Sequence, residues 1–268
     1  MKVYISADIE GITGISHWNE TTLNNSEYRA YKDQMTKEVK AAVEALHNAG
    51  VDEIYVRDAH DSARNLTLSE LPNYVKIIKG WSGAPNDMMA LLDESFDACM
   101  FIGYHSPSRS GGNPLSHTLS TDLHHIRING KIASEFLLNA YYAQIHKVPV
   151  IFVSGDELLT KSIEEENAEI ETYASFSGLG GAVVSNHPDK SLTEINRQVT
   201  LAIQKLKKDK HQFFINMPRY FEVEVCYRNH KKAYSSSFYP NASLFSFDKV
   251  LFKTDKFYEV ARFLHFAI

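Results

Sequence analysis

The opening stretch MKVYISADIEGITG, residues 1–14, decides how the rest of the chain is read. Residues 3–9 form a short apolar run, as expected of a strand covered on both faces. Two carboxylates, Asp8 and Glu10, stand where the run gives out, and Gly11 and Gly14 follow as turn formers. At a spacing of two on an extended chain, both side chains point to one side. Carboxylates held that close repel unless a positive charge lies between them. A divalent metal meets that demand, and one aspartate can bridge two ions through its two oxygens. The alternative is that the strand simply ends at Asp8 and Glu10 enters a solvated turn.

Working outward, apolar Val39, Ala42, Val43 and Leu46 share one face of a predicted helix over residues 26–49, stopped by Gly50. Strands are predicted at 53–58, 75–78 and 98–104, with a polar loop carrying Arg64 and Asn65 after the first and a helix at 85–93 before the last. This repeated order of strand and helix implies right-handed crossovers and a mostly parallel sheet. A loop follows in SPSRSGGNP, residues 106–114, then a hairpin turning at Asn129-Gly130, a helix over 134–146, and an apolar strand over 148–153 inside VPVIFVSGDE. A helix over 157–168 leads to the small-residue run SFSGLGGAVVS and a second helix at 191–208. The last segments, FFINMPRYFEVEVCYR, KVLFKTD and FYEVARFLHF, suggest antiparallel strands and a terminal helix. The expected architecture is therefore α/β: a mostly parallel sheet flanked by helices over residues 1–190, with any metal site at the carboxyl ends of its strands, and a smaller α+β lobe over 191–268.

The 268 residues are 44% hydrophobic and 12% aromatic, ample for a packed core without disulfide staples. Cys99 and Cys226 both fall in apolar runs and are expected to be buried and reduced. The net charge is −5, and the lysines of LAIQKLKKDKH sit among acidic and amide neighbours, so a nucleic-acid partner is not expected. No apolar run approaches the roughly 18 residues of a membrane span. The few apolar residues before Asp8 are too short for a secretory signal, which makes the cytoplasm the expected compartment.

Chemistry-bearing side chains collect where predicted strands end. His60 closes EIYVRDAH, with Asp58 two residues before it as a candidate to fix the imidazole tautomer. His105 closes ACMFIGYH, and Glu135 opens the helix that begins in KIASEFLL. Any one of these has an ordinary explanation: a loop histidine, or a carboxylate favoured by a helix dipole. Their placement after separate strands of one sheet is what points to a crevice site. His117 in PLSHTLS returns to that crevice if the glycine-rich loop folds back, and there it is a candidate for proton transfer or oxyanion stabilisation. His124 and His125 are read as residues of an exposed turn. Asp156 and Glu157 follow the most apolar strand and are candidates for substrate binding, for supporting the ligands, or for capping the next helix.

The blocks DIEGITG (8–14), RDAHDSARNL (57–66), GYHS (103–106), PLSHTLS (114–120), GKIASEFLLNAY (130–141) and VSGDE (153–157) together resemble the zinc D-aminopeptidases of the DppA type, in order and with similar spacing over about the first 160 residues. The resemblance implies two zinc ions per chain, with Asp8 bridging, Glu10 and His105 on one ion, and His60 and Glu135 on the other. It implies that His117 is the catalytic histidine, that the substrates are short peptides or amides with an N-terminal D-amino acid, and that the chains form ring-shaped homo-oligomers. One departure stands out: residues 173–185, YASFSGLGGAVVS, contain no lysine or arginine, so either Arg109 serves as partner for a substrate carboxylate or the substrate lacks a free carboxylate. Two other readings use the same residues. One is a two-metal phosphoesterase, for which Arg57 and Arg64 are the only evident anion-binding groups near the ligands; the other is a small-molecule binding protein with a purely structural metal.

Overall fold

The computed structural model describes residues 1–268. The chain runs β1 (Lys2–Ala7), α1 (Tyr28–Asn48), β2 (Glu53–Asp58), β3 (Val75–Ile78), β4 (Ala98–Tyr104), β5 (Leu123–Ile128), β6 (Lys131–Ile132), α2 (Glu135–Ile145), β7 (Val150–Asp156) and α3 (Glu157–Glu166). It continues with β8 (Glu171–Leu179), β9 (Ala182–Ser185), α4 (Pro188–Lys208), β10 (Phe221–Tyr227), α5 (His230–Ser236), β11 (Ala242–Ser246), β12 (Lys249–Thr254) and α6 (Phe257–Ala267). A seven-stranded sheet has the order β3-β2-β1-β4-β7-β8-β9, parallel except for β9. A second, antiparallel sheet has the order β11-β12-β10-β5-β6. No helix is long and apolar enough to cross a membrane.

The strand order reverses beside β1: the chain first winds outward to β2 and β3, then returns to lay β4 on the other side. Crevices open at such switch points, outside the carboxyl ends of the strands. Here the loop after β1 lies directly on the end of β4. Asp8 N donates to Ile102 O and Gly11 N to Gly103 O, both at 2.8 Å. A Cβ on Gly11 would come within 1.7 Å of Tyr104 O, so only glycine allows this approach.

Several expectations change. The helix expected at 85–93 is only a 3₁₀ turn over Asp87–Met89. Tyr4 Oη donates to Ala90 O and Ser6 Oγ to Met88 O, so strand β1 uses carbonyls that a helix would need for itself. The small-residue run SFSGLGGAVVS, to which no element was assigned from sequence, falls in the β8–β9 hairpin on the edge of the large sheet. The division expected at residue 190 is crossed in both directions. Helix α4 packs on α1, β7 and β8, while β5 and β6 pair into the second sheet through β10.

A buried carboxylate on α1 lies outside the crevice. Glu38 on α1 is fully buried and accepts from Thr13 N and Gln34 Nε2 through a single oxygen, leaving the other without a partner. Burial raises its pKa above the ordinary carboxylate value, against the hydrogen bonds that lower it. A carboxyl raised in this way favours the folded state while protonated, and that contribution is lost as pH climbs through the raised value. Glu38→Gln is therefore expected to stabilise the protein by about 1 kcal/mol at neutral and higher pH, or about 2–4 °C in Tm, with no gain at acidic pH. Melting curves of both proteins across pH check this, and a variant less stable at every pH refutes it.

Candidate metal centre and its cavity

Five side chains from four separate segments meet at the switch point: Asp8 and Glu10 after β1, His60 after β2, His105 after β4 and Glu135 at the start of α2, all buried. His60 Nδ1 lies 3.4 Å from Asp8 Oδ1 and 3.0 Å from Glu10 Oε2. His105 Nε2 lies 3.7 Å from Asp8 Oδ2 and 3.4 Å from Glu135 Oε1. Asp8 thus stands between the two imidazoles and offers one oxygen to each. His117 joins from the loop before β5, its Nε2 at 4.0 Å from Glu10 Oε1 and 3.8 Å from Glu135 Oε1.

Each histidine is tethered through one ring nitrogen to a backbone carbonyl. His60 Nε2 pairs with Thr21 O at 3.1 Å, His105 Nδ1 with Ser106 O at 3.0 Å, and His117 Nδ1 with Leu115 O at 2.9 Å. A carbonyl only accepts, so the tethered nitrogen carries the proton and the other presents a lone pair to the cluster. That is the arrangement by which proteins aim imidazoles at metals. His105 and His117 stack with their centroids 4.4 Å apart, and Trp18 packs edge-on against His117 at 5.2 Å.

The donor set fits divalent cations. Three carboxylates lie within a few ångströms of one another, yet no lysine or arginine pairs with any of them. Glu10 Oε2 and His105 Nε2 are buried without a hydrogen-bond partner. Burial, and next the charge of Glu10, push the Asp8 carboxyl well above its usual range, whereas against burial the neighbouring histidines hold Glu10 and Glu135 below theirs. Donor atoms of Asp8, Glu10 and His105 fall within 4.8 Å of one another, as do those of His105, His117 and Glu135.

These groups form the floor of a cavity of about 610 Å³ walled by Trp18, Trp81, Met88, Leu138 and the inner face of α6. The family follows from sequence and structure together. A sequence profile described as D-aminopeptidase matches residues 1–266. The chain belongs to the D-aminopeptidase family. It is 31% identical over 211 residues to a D-aminopeptidase of Bacillus subtilis strain 168, a span covering 78% of this chain and 76% of that one. It also superposes on the solved Zn-dependent D-aminopeptidase DppA of Bacillus subtilis, described as a self-compartmentalizing protease, with a TM-score of 0.91 at 26% identity, over all of this chain and 96% of that one.

Around this D-aminopeptidase cluster, the supporting residues differ in part from expectation. Asp58 does not touch the His60 ring. Its oxygens accept from Asn65 N, Asn65 Nδ2 and Leu66 N, and Asn65 Nδ2 in turn donates to His60 O at 2.7 Å, so Asp58 shapes the loop while Thr21 O orients the imidazole. Asp156 accepts from Ser106 N and Oγ and caps α3 through Leu159 N, which ties the turn after His105 to the sheet. Asn113 completes that tie by donating to Glu10 O at 2.8 Å. Glu157 pairs with Lys161 at 2.9 Å on the exposed face of α3, and Arg109 sits exposed on a turn at φ 64°; neither lines the cavity. His124 is exposed as expected, whereas His125 is buried against Glu224 at 2.9 Å. Cys99 and Cys226 are buried and free, as expected. Thr21, Trp18, Trp81 and the α6 wall were not foreseen, because a backbone carbonyl or an apolar side chain carries no chemical signature in sequence.

Proposed function

We propose that this enzyme is a zinc-dependent aminopeptidase that releases the N-terminal D-residue of short peptides, with Asp8, Glu10, His60, His105 and Glu135 holding two ions and Asp8 shared between them. The observation that carries this reading is the convergence of tethered imidazoles onto three buried carboxylates that no lysine or arginine pairs with. The zinc dependence of the Bacillus subtilis relative supports the metal, and the family supports the D-aminoacyl specificity. Bound zinc supplies Lewis-acid polarisation of the scissile carbonyl and a water acidic enough to react near neutral pH.

The chain's own groups complete the chemistry. His117 is the least buried of the three clustered histidines, at 15% side-chain exposure, and so faces the cavity rather than the interior. With its Nδ1 proton held by Leu115 O, its Nε2 takes a proton from the reacting water's side of the cavity and returns it to the departing amine. Trp18 limits the tilt of that ring, and the apolar wall keeps bulk water from the bond being cut. A phosphoryl substrate would meet no lysine or arginine along the same walls, which disfavours the phosphoesterase reading. Assembly into a homo-oligomer that encloses the sites is part of the proposal. It draws on the self-compartmentalizing relative and on the exposed Phe238, Phe245, Phe247 and Phe266 of the C-terminal region.

The purified enzyme should carry about two zinc ions per chain and release D-alanine from D-alanyl peptides. Exhaustive chelation should abolish that release and added zinc should restore it. Full activity without metal, or an equal rate on the L-peptide, defeats the reading.

A further inference from the structure

We infer that the cavity selects against a free carboxylate on the leaving side of the scissile bond, so that the preferred substrates are D-aminoacyl amides and longer peptides rather than free dipeptides. This rests on the aminopeptidase reading above and adds a specificity to it. In a dipeptide the terminal carboxylate sits on the Cα next to the scissile amide, about 3.8 Å beyond the preceding Cα, so it must enter the cavity with the reacting bond.

Beyond the metal cluster, only neutral donors such as Asn86 Nδ2 stand there to receive it. The cavity is lined by no lysine and no arginine; beyond the ligand cluster its carboxylates are Asp61 and Asp87, and its one further imidazole is the exposed His265. The one guanidinium nearby, Arg57, is sealed off: its side chain is 0% exposed and lies under the Trp81 ring, 4.5 Å from the ring centroid. Arg57 is also committed to Gly80 O at 2.5 Å and faces Asp87 at 3.9 Å. The Asp61 carboxylate, by contrast, makes no hydrogen bond or ion pair; only the Asp61 backbone is engaged, its carbonyl accepting from Trp81 Nε1. The wall formed by α6 offers Phe257, Ala261 and Leu264, all apolar. A carboxylate placed among these groups, away from the metal cluster, gives up its hydration, meets no lysine or arginine, and faces two like charges. An amide, or a further residue carrying the carboxylate out of the mouth, avoids all three penalties.

The test compares kcat/KM of the zinc-loaded enzyme for D-alanyl-D-alanine and for D-alanyl-D-alaninamide, reading loss of the intact substrate, since each cleavage of the free acid yields two D-alanines and each cleavage of the amide one. The amide is expected to be favoured at least tenfold. Thr121→Arg places a guanidinium on the exposed rim of the same cavity and should narrow that gap by raising the value for the free acid while leaving the amide nearly unchanged. A wild-type enzyme that cleaves the free acid as well as the amide overturns the selectivity but leaves the aminopeptidase reading intact. An enzyme that cleaves neither overturns both.

Discussion

Asp8→Ala is expected to empty the cluster of metal and to lower turnover by about a thousandfold or more, since loss of mere supporting groups around a metal already costs about 10–100-fold. Asp8 alone reaches both of the deeply placed imidazoles, His60 through Oδ1 and His105 through Oδ2. Without it, neither histidine keeps a carboxylate in common with the other, and in the proposed two-ion site no side chain would remain to serve both metals. The same substitution should act in the opposite sense on the metal-free protein. Burial and the charges of Glu10 and Glu135 work against an ionised Asp8, so the metal-free variant should melt no lower than metal-free wild type. Zinc content by elemental analysis and paired melting curves report the two effects separately. Wild-type zinc content in the variant would remove Asp8 from the ligand set.

His117→Ala should behave differently, losing about 10²–10⁴ in kcat with zinc content unchanged. The distinction matters because His117 Nε2 lies within ligand range of its neighbours: the donor atoms of His105, His117 and Glu135 are all within 4.8 Å of one another. Two features separate His117 from the proposed ligands. It is more exposed to the cavity than His60 or His105, and burial together with the adjacent His105 ring lowers its pKa, favouring the neutral form that can accept a proton. A variant that loses zinc along with activity would make His117 a ligand and leave proton transfer without an owner.

Much of this was legible locally. The parallel strands β2, β3 and β4 begin and end where the apolar runs predict, because a strand covered on both faces writes its limits directly into composition. The hairpin at Asn129-Gly130 followed from turn chemistry, and both residues do adopt positive φ. The failures share one cause. Residues 85–93 contain helix-compatible methionines and leucines, yet Asn86 adopts a left-handed conformation, Asp87 turns back to bond Ser82 and Gly83, and β1 side chains take the local carbonyls. Helix α4 starts at Pro188, capped by His187, before the apolar periodicity that signalled it becomes visible.

The site divides along the same line. Residue type and position at strand ends marked out Asp8, Glu10, His60, His105, His117 and Glu135, and the order of motifs placed them in a family. What lay beyond sequence was the orientation of each ring, which Thr21, Leu115 and Ser106 set through backbone carbonyls, and the wall brought by α6 from the far end of the chain. Periodicity and turn chemistry act over a few residues, so the amino-acid sequence by itself determined the elements and the identities of the reactive groups. Which groups face one another depends on the β2-β1-β4 strand order and on contacts between segments more than a hundred residues apart, and those are settled only when the whole chain packs.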